Sequence, residues 1–216
     1  MDLDLYKSLN GFAADHDAFE DVLRFFALNG QFFFLALLGG LFLGVGRWRS
    51  TSARRGVVAA GFSALLALGA GHLISNFWDR PRPYVAHPNV AHLFIAPSHD
   101  PSFPSDHATA AFALAVAIWL RHRRAGWLAL GLATIISVSR VVVGTHYPSD
   151  VVGGAILGTL AALVFWHPWI RNRLHRLADW VGRTYERLIS GFRTRASGDD
   201  LGGAKRSKWL PPPHPR

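Results

Sequence analysis

Ser139-Arg140-Val141-Val142-Val143-Gly144-Thr145-His146-Tyr147-Pro148-Ser149-Asp150 joins two apolar runs, and it carries an arginine, an imidazole and, four positions after the imidazole, a carboxylate. The planar fork of an arginine matches phosphoryl oxygens in bidentate fashion. An imidazole whose one ring nitrogen is held by a carboxylate leaves the other free to attack phosphorus. The flanking runs, about 125–143 and 151–170, are close to the ~20 residues a helix needs to cross ~30 Å of hydrocarbon. A reactive link between two membrane crossings is the reading from which the rest follows.

Half of the 216 residues are hydrophobic, and they fall into long runs with few charges. The pattern predicts an all-α, polytopic membrane helical bundle with crossings at about 31–45, 57–77, 105–120, 125–143 and 151–170. Residues about 5–24 mix Leu5, Leu9, Phe12 and Phe19 with Asp15, Asp17, Glu20 and Asp21. They are expected to form an amphipathic helix at the interface, and its insertion would turn five transmembrane helices into six. Residues 1–170 then make one membrane-embedded domain. Leu174, Leu177, Val181, Leu188 and Ile189 recur at helical spacing among arginines, so 171–195 reads as a basic amphipathic cytoplasmic helix suited to an anionic leaflet. The Gly-, Ser- and Pro-rich stretch 196–216 reads as a disordered tail.

Net charge is +9, with 20 arginines against 3 lysines, a balance that could point to nucleic acid. Position excludes it. Arg47, Arg49, Arg54 and Arg55 follow the first run, Arg121, Arg123 and Arg124 follow the third, and the remaining cluster follows the last. Those are alternate connections, as the positive-inside rule requires. The polar links between them fall on the extracytoplasmic face of a cell membrane, and the C-terminus is cytoplasmic. The chain has no cysteine, so thiolate chemistry is not available. The N-terminal residues lack a positive segment and a cleavage site, so the first span is expected to remain as an anchor.

Two other polar clusters lie at run ends on the same face: Arg80-Pro81-Arg82-Pro83 and Pro104-Ser105-Asp106-His107. Arg82 and Arg140 are candidate phosphate clamps, with Arg80 divided between that role and a structural one. Ser105 stands where a helix N-cap would, its first-turn N–H groups aimed at any anion. His107 is placed to protonate a leaving oxygen, and Asp106 to cap or orient. If a helix began before His146, that residue and Asp150 would share a face; Pro148 instead favours a helix that starts after a turn. Ser75, Asn76 and His72 line the outer end of the second run, and Asp100 precedes the second cluster as a loop cap or substrate contact. His87, His92 and His99 lack zinc-ligand spacing, and neither metal nor cofactor is expected.

The three clusters together resemble the type 2 phosphatidic acid phosphatase superfamily, whose pattern is Lys-x6-Arg-Pro, Pro-Ser-Gly-His and Ser-Arg-x5-His-x3-Asp. Ser139, Arg140, His146 and Asp150 match the third element, Pro104, Ser105 and His107 the second, and Arg82 and Pro83 the first. Asp106 replaces the glycine and Ser75 the lysine, and the run from Asp100 to Ala108 is similar to the branch of bacterial undecaprenyl pyrophosphate phosphatases of the bacitracin-resistance type. Asn76 or Arg80 would then stand in for the lysine.

The resemblance implies hydrolysis of a polyprenyl diphosphate lipid through a phosphohistidine on His146, oriented by Asp150. His107 would act as acid and then base, and Arg82, Arg140, Ser105, Ser139 and Arg80 would hold the phosphate. It also implies a role in recycling the lipid carrier of cell-wall synthesis. Rival readings are a phosphatase of phosphatidate or phosphatidylglycerophosphate, and a transporter that holds anionic lipid without turnover. Oligomeric state is left open.

Overall fold

The computed structural model describes residues 1–44 and 50–199, and among them every regular element is an α-helix. Arg47, Arg49 and residues 200–216 of the expected tail lie outside the described residues. The helices are α1 (Asp2–Ala14), α2 (Asp17–Leu43), α3 (Thr51–Phe77), α4 (Pro83–Ala86), α5 (Asp106–Trp119), α6 (Arg123–Val142), α7 (Pro148–Val164) and α8 (Pro168–Asp199). The chain forms two units, Met1–Ala178 and Asp179–Arg216; the first holds every motif, and the second continues α8 through the basic segment.

Residues 5–24 do not form one interfacial helix. α1 stops at Ala14, and α2 runs unbroken from Asp17 to Leu43, beginning fourteen residues before the expected crossing. Asp17 and Glu20 lie in the first turn of α2, where carboxylates meet unpaired N–H groups and the positive end of the helix dipole. They mark a helix start rather than a polar face. α1 is anchored on the site side of the bundle. Buried Asn10 donates to the carbonyls of His92 and Val142, both at 2.8 Å, and accepts from the His92 N–H at 2.8 Å. The Tyr6 ring packs on Tyr147, with centroids 5.8 Å apart.

Among the described residues three helices, α2, α3 and α6, are long and apolar enough to cross a bilayer, or four if α7 and α8 count as one bent span. Two of the expected crossings fall on shorter apolar helices. α5 has 14 residues and α7 has 17, or about 21 and 26 Å at 1.5 Å per residue. The apolar runs that suggested longer spans include non-helical residues: Ser105 is the cap of α5, and α7 ends at Val164 before a turn that Pro168 closes by starting α8.

These two short helices form the centre of the bundle, α5 packing on α3, α6 and α7. Small residues make that possible. Ala108, Ala113, Ala115 and Ala117 of α5 are fully buried. A Cβ on Gly158 of α7 would lie 2.3 Å from the Thr109 carbonyl oxygen, and one on Gly154 would lie 2.7 Å from that of Ser105. The two backbones thus meet as small-residue seams allow in membranes, and Ser105 N–H donates to the Asp150 carbonyl at 3.1 Å. Large apolar side chains such as Leu35, Leu65, Leu73, Leu128 and Ile156 point outward, the arrangement suited to a lipid solvent.

Candidate active site

The link between α6 and α7 folds back on the helix it leaves. Gly144 adopts φ 86°, and a Cβ there would sit 2.2 Å from the His92 carbonyl oxygen, so conformation and space both demand glycine. The turn returns the chain to the end of α6, where the Arg140 carbonyl accepts from Thr145 N–H at 3.2 Å, His146 N–H at 3.2 Å and Thr145 Oγ1 at 2.9 Å. His146 is therefore set beside Arg140. Tyr147 then caps α7 and Pro148 opens it, which leaves His146 in the link. Asp150 lies in the first turn, its Oδ2 accepting from Tyr147 N–H at 2.8 Å.

His146 is buried, and its Nδ1 lies 2.8 Å from the carbonyl oxygen of Ser102. A carbonyl only accepts, so Nδ1 carries the proton and Nε2 presents its lone pair. Arg82 Nη1 lies 3.3 Å from that nitrogen. Burial lowers the pKa of His146, Arg82 and Arg140 add to the effect, and Asp150 opposes it; the ring is neutral at neutral pH. Asp150 does not hold the imidazole directly, because its Oδ2 is 3.8 Å from Nδ1. That oxygen instead accepts from Ser102 Oγ at 2.6 Å. Ser102 thus stands between the two, a residue to which the sequence reading assigns no role.

Arg82 is 5% exposed and donates through Nε to the Asp100 carbonyl at 2.9 Å, through Nη2 to Asp100 Oδ2 at 2.9 Å, and through Nη1 to the Thr145 carbonyl at 3.1 Å. Partial burial would raise the Asp100 carboxyl, but hydrogen bonding from Ser98 and the charge of Arg82 hold it below the usual carboxylate range. Arg140, 7% exposed, gives Nη1 to the Ala27 carbonyl at 3.3 Å, and its Nε has no partner. Ser105 is the N-cap of α5, and its buried hydroxyl is also unpartnered, as is that of Thr109 one turn later.

Arg82, Asp100, Asp106, His107, Arg140 and His146 line one cavity of about 100 Å³. All three clusters converge there. His107 stands exposed at its edge and also borders an apolar cleft of about 220 Å³ walled by Phe34, Leu35, Leu38, Leu114 and Ile136.

Four expected contributors lie elsewhere. Arg80 does not line the cavity: its guanidinium donates to Asp150 Oδ1 at 2.5 Å, Ser149 Oγ at 2.7 Å and Asp2 Oδ2 at 2.7 Å, and lies 4.2 Å over the Tyr147 ring. Ser139 turns its hydroxyl back to the Ile136 carbonyl at 2.6 Å. Ser75 does the same to His72 at 2.9 Å, and Asn76 is an exposed residue of the last turn of α3. Neither Asn76 nor Arg80, the expected stand-ins for the lysine, borders the cavity, and Ser75 at the lysine position does not either. Among the described residues no three His, Cys, Asp or Glu side chains are grouped so as to hold a metal ion.

Residues 56–174, which contain all three clusters, match the profile of the PAP2 superfamily. The chain belongs to the PAP2 superfamily. It is 29% identical over 190 residues to the undecaprenyl-diphosphatase BcrC of Bacillus subtilis (strain 168), covering 88% of this chain and 94% of that one. It is 33% identical over 192 residues to the bacitracin transport permease protein BcrC of Bacillus licheniformis, covering 88% and 91%. The crystal structure of Aquifex aeolicus LpxE aligns with a TM-score of 0.58 and 26% identity, over 76% of this PAP2 chain and 93% of that chain. The protein is a membrane lipid phosphatase.

Proposed function

We propose that this PAP2 phosphatase hydrolyses undecaprenyl diphosphate to the monophosphate and inorganic phosphate, on the extracytoplasmic face of the cell membrane, and so returns a lipid carrier to cell-wall synthesis. One observation carries the chemistry: the unprotonated Nε2 of His146 opens toward a cavity that Arg82, Arg140 and His107 also line. The extensive match to an undecaprenyl-diphosphatase supports the substrate. The apolar cleft beyond His107 supports a hydrophobic group on the leaving side.

In this reading Nε2 attacks the terminal phosphorus. The P–N bond forms as the bond to the bridging oxygen breaks, and His107 gives that oxygen its proton. The arriving phosphate favours the protonated form of His107, because negative charge stabilises an imidazolium. Water, deprotonated by His107, then attacks the phosphohistidine, and inorganic phosphate leaves with His146 neutral again. Arg82, Arg140 and the Ser105 hydroxyl stabilise charge on the phosphoryl oxygens throughout. Arg82 must first release Nε2 and the Asp100 carboxylate, and the phosphate oxygens compensate it for both.

Purified protein assayed with EDTA on undecaprenyl diphosphate, phosphatidate and phosphatidylglycerophosphate tests the substrate. Turnover of the diphosphate well above the other two is expected, and preference for either monoester overturns the assignment. The variant His146→Ala should insert normally and release no phosphate. A phosphate monoester departs more easily than an alkoxide, so His107→Ala should cost the diphosphate reaction less than the phosphatidate reaction. Transport without turnover, the rival reading, places polar groups at the bilayer midplane; here they gather at one end of the helices.

A further inference from the structure

Asp150 stands four residues after the nucleophile, yet its carboxylate hydrogen-bonds to Arg80, Ser102 and the Tyr147 N–H rather than to the imidazole. Its Oδ1 takes Arg80 Nη1 at 2.5 Å, and its Oδ2 takes Tyr147 N–H at 2.8 Å and Ser102 Oγ at 2.6 Å. Ser102 is fully buried, its N–H bound to the Arg80 carbonyl at 2.8 Å and its own carbonyl bound to His146 Nδ1 at 2.8 Å. One serine thus meets the carboxylate with its hydroxyl and the imidazole with its backbone.

We propose that Ser102 is a positioning residue: its hydroxyl engages Asp150 Oδ2 and holds the carboxylate 3.8 Å from Nδ1, beyond hydrogen-bond distance, while its carbonyl fixes the tautomer that exposes Nε2. This rests on His146 being the nucleophile. The arrangement balances two needs. A carboxylate bonded straight to Nδ1 favours the imidazolium and so lowers the share of neutral, nucleophilic ring at a given pH. A carboxylate one hydroxyl away still lies 3.8 Å from the ring and offsets the positive charge that develops as the P–N bond forms.

The other charged or titratable groups at the ring are Arg82, from the segment before α4, and Arg140 of α6, with His107 and Asp106 of α5 and Asp100 of the outer loop around the same cavity. Arg80 lies behind Asp150. None of these changes when Ser102 is replaced. Ser102→Ala leaves the carbonyl in place but frees Oδ2, so the negative field on the imidazole grows and the ring protonates more readily.

The test is the pH dependence of kcat/KM on one lipid substrate, so that substrate ionisation is common to all variants. Ser102→Ala should move the acid limb to higher pH by about one unit, and Ser102→Thr, which keeps the hydroxyl, should leave it in place. If Ser102→Ala does not accumulate, Ser102→Cys, a near-isostere with a weaker donor, should move the limb in the same direction. A limb that superimposes on that of the parent, with activity reduced equally at every pH, overturns the proposal, as does a threonine limb displaced as far as that of alanine. His146→Ala separates the two claims: residual turnover there removes the nucleophile assignment, whereas an inactive His146→Ala with an unmoved Ser102→Ala limb removes only the role of Ser102.

Discussion

Gly144 is the residue on which the reactive link turns. Its φ of 86° and the His92 carbonyl beside it leave no room for a side chain. Gly144→Ala should destabilise the protein by about 1–3 kcal/mol, read as a lower melting temperature in detergent, with phosphate release falling alongside because His146 hangs from that turn. Asp2 offers a pH test. Partial burial would raise its carboxyl, but Ser149 and Arg80 together hold it below the usual range. A carboxylate depressed by folding contributes stability that is complete above its unfolded value of about 3.9 and lost as pH falls through the folded value. The difference in melting temperature between the parent and Asp2→Asn should therefore persist at pH 7 and pH 5 and vanish only below about pH 3.9. His146, Arg140, Arg82 and His107 were legible in the sequence because their chemistry resides in side chains at short spacings. Ser102 was not, since half its role belongs to a backbone carbonyl that any residue possesses. Arg80 was left divided between phosphate and a structural role because its partner Asp2 lies 78 positions away, a separation no local pattern reports.

At the scale of elements, the seam between α5 and α7 holds two clusters in register. Gly154 and Gly158 let the backbones touch, and Ser105 and Asp150 meet at the open end of that seam. Gly158→Leu should push the helices apart at a cost of about 1–3 kcal/mol, lower the melting temperature, and reduce phosphate release more than a substitution of similar size on the outward face, such as Leu160→Phe. Apolar content located these helices, and Pro148 marked the start of α7. Their lengths were overstated, because hydropathy counts a cap or a turn as readily as a helical residue. The start of α2 was missed for the complementary reason: acidic residues that complement a helix dipole read, in sequence, like the wet face of an amphipathic helix.

Across the whole first unit, the site gathers at the end holding the start of α5, the end of α6 and the start of α7. The described arginine connections lie at the other end, where Arg123 stacks 3.5 Å over Trp119, Arg121 5.4 Å over Trp166 and Arg173 4.1 Å over Trp169. Arginine and tryptophan together suit a membrane–water boundary, and charge distribution alone had separated the two ends. The orientation we propose is checked directly in a chain without cysteine. A membrane-impermeant maleimide should label His99→Cys in intact cells, and Arg124→Cys only after permeabilisation; the opposite pattern inverts the topology. The grip of Asp2 on Arg80, and of Arg80 on Asp150, also has a practical and a temporal meaning. Asp2 is made well before Ser149 and Asp150, so this network closes only after the start of α7 has been synthesised. Any purification tag fused ahead of Met1 would begin one residue from that grip, which makes the far terminus the safer place for a handle.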